Sequence, residues 1–232
     1  MSALDFWKQR LTVPAYRLGE AATYVRISAQ TIANWELQKN SKTPVVSGRL
    51  SRAGLSFLQL IEVAVVAAMR KQGVKLPDIR AARSYITAQT GMAHPFAQLK
   101  FKSDGVDILL HYEGVAADVI KDKLLLANRG GQLIWTVALS DRLREFDYGQ
   151  DGNVQLWKVN GVNSNIEISP KIAFGAPAIG GIATAAIKQR WADGYSIEDI
   201  SDDLELEEVA VEEALRFEKM NLNRERKSHW VN

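Results

Sequence analysis

The chain of 232 residues contains no cysteine, which excludes disulfides, thiolate metal sites and cysteine nucleophiles together. Histidine is nearly as scarce. His94, His111 and His229 lie far apart, and none stands in a metal-ligand spacing. Long apolar runs are missing too: the longest, Val63 to Met69, has seven residues, against the roughly 20 that a bilayer-spanning helix needs. Met1 to Leu11 mixes Asp5, Lys8 and Arg10 among its apolar residues, unlike the apolar core of a signal peptide. Gly130-Gly131 and Gly180-Gly181 are not followed by the Lys-Ser/Thr of a phosphate-binding loop, and loop geometry accounts for them better. These absences predict a cytoplasmic protein, away from membranes, that is not an enzyme and holds no metal or cofactor.

What is present is an ordinary globular composition, 47% hydrophobic and 24% charged, on a chain long enough for two small domains. The net charge of +2 hides a division. Residues 1–95 carry 13 Lys/Arg against 5 Asp/Glu (+8), residues 96–165 carry 8 against 9 (−1), and residues 166–232 carry 8 against 13 (−5). A basic front and an acidic back suggest one end that meets phosphate and one that does not.

Within the basic front, Leu18 to Val25 and Ala29 to Leu37 read as two short helices about a tight polar turn. Ala21, Ala22, Val25, Ile27, Ile32 and Trp35 recur at spacings that bury them between the helices. Ser28 is placed to cap the second helix. This is the grammar of a helix-turn-helix, whose second helix enters the major groove. The polar residues left over on that helix are Gln30, Thr31 and Asn34. Gln and Asn can bond adenine edges bidentately, and Arg26, Lys39, Lys42 and Arg49 would neutralise phosphates. With Ser28, these form the predicted DNA-binding set. Lys39 to Leu50, basic around Val45-Val46, reads as a hairpin wing.

Ser56 to Gln72 reads as a helix apolar on almost every side, which demands burial on more than one face, in a core or against a partner subunit. Gly73 stops it, and Pro77 opens another helix that carries Arg80 and Arg83 to about Thr90. The middle is punctuated by Ser103-Asp104-Gly105, Arg129-Gly130-Gly131 and Asp151-Gly152-Asn153. Leu99–Lys102, Val106–Tyr112, Ile134–Ala138 and Val154–Val159 read as strands of a small sheet. The last section opens on extended Ile166-Glu167-Ile168. Three helices follow, from Ala183 to Asp193, from Ser196, and from about Glu207 to Met220, with Ser196 and Asp199 placed as a capping box. The last two again have a helix-turn-helix outline, acidic where DNA would lie. The carboxylates from Glu198 to Glu213 alternate with apolar residues, the pattern of a solvated face.

The predicted fold is therefore mainly α with a small β portion. Residues 1–95 form a winged helix-turn-helix domain with a dimerisation helix, 96–165 a small β-rich connecting region, 166–222 a helical domain and 223–232 a basic tail.

Thr31-Ile32-Ala33-Asn34-Trp35-Glu36, after the turn Val25-Arg26-Ile27-Ser28, resembles the signature of MerR-like proteins, in which a Thr-Ile-Arg-Tyr-Tyr-Glu-like string follows a Gly-Val turn. Ser51 to Val63, Gly73 to Arg83, His94-Pro95 and Ser103-Asp104-Gly105 extend this to a resemblance to the DNA-binding domain of VapB-type antitoxins. Pro170, Gly175, Pro177, Ile179, Gly181 and Thr184 are similar to a domain of unknown function found widely in bacterial antitoxins. Gly194, Ser196-Ile197-Glu198, Leu206 and Val209 to Glu218 continue that second resemblance. Ala33 stands where the MerR string has arginine, and Gly181 runs into Ile182-Ala183-Thr184 where the antitoxin-associated motif has a Thr-Arg pair, so no arginine role transfers at either place.

The resemblance implies a homodimeric antitoxin that represses its own operon through operator DNA and neutralises a PIN-like ribonuclease toxin. The tail residues Arg224, Arg226, Lys227 and Trp230 would lie in the acidic groove of such a nuclease. The competing reading is a one-component MerR-like regulator whose central sheet senses a small molecule.

Overall fold

The computed structural model of the chain describes residues 6–36, 45–46, 54–98 and 139–222, and divides into two units, Met1–Trp157 and Lys158–Asn232. The described residues are mainly helical with five short strands, the predicted class.

In the first unit a short helix α1 (Phe6–Arg10) precedes α2 (Leu18–Val25) and α3 (Ala29–Glu36). The Arg17 N–H donates to the Glu20 carboxylate at 2.7 Å at the start of α2. The helix ends at Arg26, whose backbone is left-handed (φ 60°, ψ 43°), a conformation that costs an L-residue roughly 1 kcal/mol. The Ile27 N–H then reaches back to the Ala22 carbonyl at 3.0 Å, satisfying a helix-end acceptor and reversing the chain. Ala21, Ala22, Val25, Ile32 and Trp35 are buried, as their spacing predicts, whereas Ile27, in the turn, is half-buried.

Next, Leu55 and Tyr16 exchange backbone hydrogen bonds at 2.7 and 3.0 Å. Gly54 makes this approach possible: its φ is +111°, and a Cβ there would collide with the Tyr16 carbonyl oxygen. α4 (Phe57–Lys71) starts at a reciprocal cap. The Gln59 N–H donates to Ser56 Oγ at 3.3 Å and the Ser56 N–H to Gln59 Oε1 at 2.9 Å, covering two orphan donors of the first turn.

From Phe57 to Ala67 every residue of α4 is buried, so its all-round apolarity is satisfied inside one chain. No exposed apolar stripe remains on α4 for the dimer contact that the sequence suggested. Glu62 is fully buried on it, with His94 Nδ1 3.4 Å from its carboxylate. α5 (Leu76–Thr90) carries Pro77 in its first turn and ends at left-handed Gly91. A single 3₁₀ turn, Pro95–Ala97, follows.

Residues 139–144 are helical and lead into an antiparallel hairpin of β1 (Phe146–Tyr148) and β2 (Val154–Lys158), with Phe146 opposite Trp157 and a bulge at Asp147/Tyr148. Buried Trp157 packs edge-on to Phe146 (6.0 Å, 68°) and donates from Nε1 to Glu145 at 2.9 Å. The predicted strand Val154–Val159 is thus found. Leu99–Lys102, Val106–Tyr112 and Ile134–Ala138 lie outside the described residues.

The second unit is built on β3 (Glu167–Ile168), β4 (Ala178–Ile179) and β5 (Ile182–Ala183), paired antiparallel in that order. Gly180 and Gly181 both take positive φ, 57° and 83°, as a two-residue hairpin turn requires. Their role is this turn. α6 (Thr184–Ala192), α7 (Ile197–Leu204) and α8 (Glu208–Phe217) complete the unit, with Ile187, Trp191, Ile200, Val211, Ala214 and Leu215 buried. The capping box at Ser196 and Asp199 forms as predicted, each N–H donating to the other's side chain at 3.0 Å. Ionic and hydroxyl contacts tie the helices together: Arg190 Nε to Asp203 at 2.7 Å, and the Thr184 hydroxyl to Glu218 at 2.6 Å.

Candidate functional site

The turn at Arg26 and the packing of Ile32 and Trp35 decide which face of α3 looks outward. Gln30 and Asn34 are on it, both exposed and one helical turn apart, with Gln30 Nε2 donating to Asn34 Oδ1 at 2.7 Å. That bond uses one polar atom of each amide. The acceptor Gln30 Oε1 and the donor Asn34 Nδ2 keep the complementary pair that an adenine edge presents.

Ser28 and Thr31 are partly committed elsewhere. The Thr31 N–H donates to Ser28 Oγ at 3.0 Å, and the two hydroxyls are 2.8 Å apart. Ser28 is therefore the cap of α3. Arg26 is exposed at the turn itself. The structure brings Arg26, Ser28, Gln30, Thr31 and Asn34 onto one turn and helix; Lys39, Lys42 and Arg49 lie outside the described residues. So do Arg224, Arg226, Lys227 and Trp230. Of the predicted wing, Val45 and Val46 are described, and both are buried.

Two cations of the basic front turn inward. Arg80 and Arg83 on α5 are 6% and 9% exposed, and Arg80 Nη2 donates to the Trp35 carbonyl at 3.0 Å. A guanidinium there covers one of the carbonyls that the last turn of α3 leaves unpaired. Arg80 thus serves as a positioning residue for α3, a role that helical spacing could not disclose. Trp35 is buried, as a packing residue would be.

In the second unit the carboxylates of Glu198, Asp199, Asp202, Asp203, Glu205, Glu207 and Glu208 are all on exposed residues. No group of three or more His, Cys, Asp or Glu suited to a metal ion occurs among the described residues. Nor is any described helix long and apolar enough to cross a membrane. Between Pro170 and Pro177, among the residues of the antitoxin-associated resemblance, stands Phe174, which no sequence pattern marks. That residue is 80% exposed and has a left-handed backbone (φ 57°, ψ 22°), following Ala173 at φ 43°.

The fold and these surfaces define a two-unit, mainly helical protein. Its first unit offers a short polar helix face beside exposed arginine, and its second an acidic helical surface.

Residues 166–217 match a family described as "Protein of unknown function (DUF433)". The chain is 23% identical over 214 residues to the Mycobacterium tuberculosis protein named "Putative antitoxin VapB45", a similarity covering 84% of this chain and 89% of that protein. The X-ray crystal structure of Rv2018 from Mycobacterium tuberculosis shares its fold. The TM-score is 0.70 at 20% identity, over 89% of this chain and 99% of the solved one.

Proposed function

We propose that this protein is the antitoxin of a toxin–antitoxin pair. It binds and silences a PIN-like ribonuclease toxin and, as a homodimer, represses its own operon. The observation that carries this reading is the similarity to the VapB45 protein along 84% of the chain, reaching across both the basic front and the acidic back. In this reading the α3 face meets operator DNA. Gln30 and Asn34 read a base edge, Arg26, Lys39, Lys42 and Arg49 neutralise phosphates, and Ser28 and Thr31 hold the start of the helix. Two-fold operators are read by two-fold proteins, and with α4 buried in the chain the dimer contact uses another surface. The tail residues Arg224, Arg226, Lys227 and Trp230 engage the toxin's acidic groove.

The test is co-expression with the neighbouring small reading frame. The expected result is a product toxic alone, harmless together with this chain, and co-purifying with it. A chain lacking residues 223–232 that still neutralises fully would remove the tail from the contact. A mobility shift on DNA upstream of the gene should weaken steeply with salt. An isolated gene, with no toxic neighbour, would instead favour the one-component regulator.

A further inference from the structure

Between Pro170 and Pro177 the chain makes a tight turn whose geometry and residue choice disagree. Backbone hydrogen bonds close it: the Ile172 N–H donates to the Ser169 carbonyl at 3.0 Å, Gly175 to Ile172 at 2.8 Å and Ala176 to Ala173 at 3.0 Å. Three successive residues take positive φ, Ala173 at 43°, Phe174 at 57° and Gly175 at 89°. Glycine accepts this without steric cost, and asparagine is the side-chain-bearing residue that tolerates it best. Phenylalanine suits it badly. Nor does Phe174 compensate by filling a core, because it is 80% exposed. A residue that the backbone disfavours and solvent disfavours, held in a hydrogen-bonded turn, marks a functional constraint more than a folding one.

We propose that Phe174 is the anchor with which the second unit docks on its protein partner, entering an apolar pocket set in a basic surface. The partner is the toxin of the proposed pair, so this inference rests on the antitoxin reading. Charge selects that class of partner. Residues 158–222 carry 6 Lys/Arg against 12 Asp/Glu, which repels nucleic acid and sets like against like if the same unit of a second copy approaches. A basic protein surface is attracted. Aromatic side chains, phenylalanine among them, are enriched at the desolvated centres of such contacts.

The experiment measures binding of the full chain to the purified product of the neighbouring reading frame. Phe174→Asn suits the left-handed backbone, so its melting temperature should equal or exceed the parent's while affinity falls about tenfold or more. Val13→Asn, at a 53% exposed residue of the first unit, should leave affinity within about twofold, as expected for a residue outside the contact. Hydrogen exchange of residues 172–176 in the parent chain should slow on binding, which keeps the test sound if the Asn variant folds poorly. Unchanged affinity in Phe174→Asn, or unchanged exchange, overturns the proposal and leaves the antitoxin reading standing, because the parent still binds. A parent that binds nothing defeats both. Loss of self-association in the toxin-free variant would assign the pocket to a second copy and overturn the choice of partner.

Discussion

Replacing Arg80 by methionine separates holding a helix in place from touching DNA. The residue is 6% exposed, and its Nη2 donates to the Trp35 carbonyl at 3.0 Å. Methionine keeps much of the apolar stem and removes this hydrogen bond of a charged donor, worth about 1.5–3 kcal/mol. For a chain of this length each kcal/mol moves the melting temperature by roughly 2–4 °C, so a fall of about 3–12 °C is expected. Far-UV circular dichroism during heating measures it.

The same variant should weaken operator binding without altering its salt dependence. Four phosphate contacts from Arg26, Lys39, Lys42 and Arg49 would give a slope of log affinity against log salt of about −3.6 per protomer, and about −7 for a dimer. Arg80→Met lowers the affinity and leaves this slope alone, because α3 is displaced while the contacting cations remain. Lys42→Gln does the reverse: melting is unchanged and the slope shrinks by about 1 per protomer. An Arg80→Met protein with parental melting and a shallower slope would show that Arg80 touches phosphate, and the packing argument would be refuted.

Ser56→Ala removes the reciprocal cap of α4 and should cost about 1 kcal/mol, seen as a lower urea midpoint with an unchanged slope. Trp157→Ala empties a fully buried site and leaves Glu145 without its indole donor; a loss of about 3–5 kcal/mol is expected, and Trp157→Phe should recover most of the packing part. At Asp151, partial burial raises the carboxyl pKa, but hydrogen bonds from the Asn153 side chain and backbone and from Gln155 outweigh it and hold the group below its ordinary range. Its contribution is therefore present above the unfolded value near 4 and is lost as pH falls through the lower folded value. Asp151→Asn should lower stability at neutral pH and flatten the acid limb of a stability–pH profile, the two proteins converging at low pH.

Helix ends were legible because their causes are local. Ser28, Ser196 with Asp199, Pro77 and Gly73 each act on a backbone group within about one turn, and sequence spacing displays that directly. The burial of α4 was legible as well, although apolar residues on every side leave open whether the cover comes from the same chain or another. What stayed hidden depends on residues far away or on a dihedral. Arg80 looked like one more cation of a basic segment, whereas in the fold it turns inward and donates to Trp35, 45 residues earlier. Buried Glu62 lies 32 residues from His94 and is hidden for the same reason. Phe174 carries no sequence mark of its left-handed backbone, because residue type favours φ without fixing it. For the site itself, the exposed Gln30 and Asn34 followed from elimination of the core positions, whereas the hydrogen bond between their side-chain amides did not.

Among the described residues one kind of turn ends five helices, at Arg26, Gly73, Gly194, Glu205 and Lys219, and at the two that bend a helix-turn-helix outline it carries opposite charge. Arg26 ends α2 at φ 60°, and Glu205 ends α7 at φ 52°. In each case the next residue closes onto a carbonyl five positions back at 3.0 Å, Ile27 onto Ala22 and Leu206 onto Ser201. Glycine would serve this backbone better at both places, so neither charged side chain is explained by the turn. Under the proposed reading the sign of each follows from what the turn faces. Duplex DNA presents one negative charge per roughly 1.7 Å, which Arg26 favours and Glu205 opposes. A helix-turn-helix outline is therefore a weak guide to nucleic-acid binding by itself. Exchanging the two signs, with Arg26→Glu and Glu205→Arg, should leave both turns folded. The first change alone should abolish operator binding, and an unaffected mobility shift for Arg26→Glu would remove the α2–α3 turn from the DNA contact.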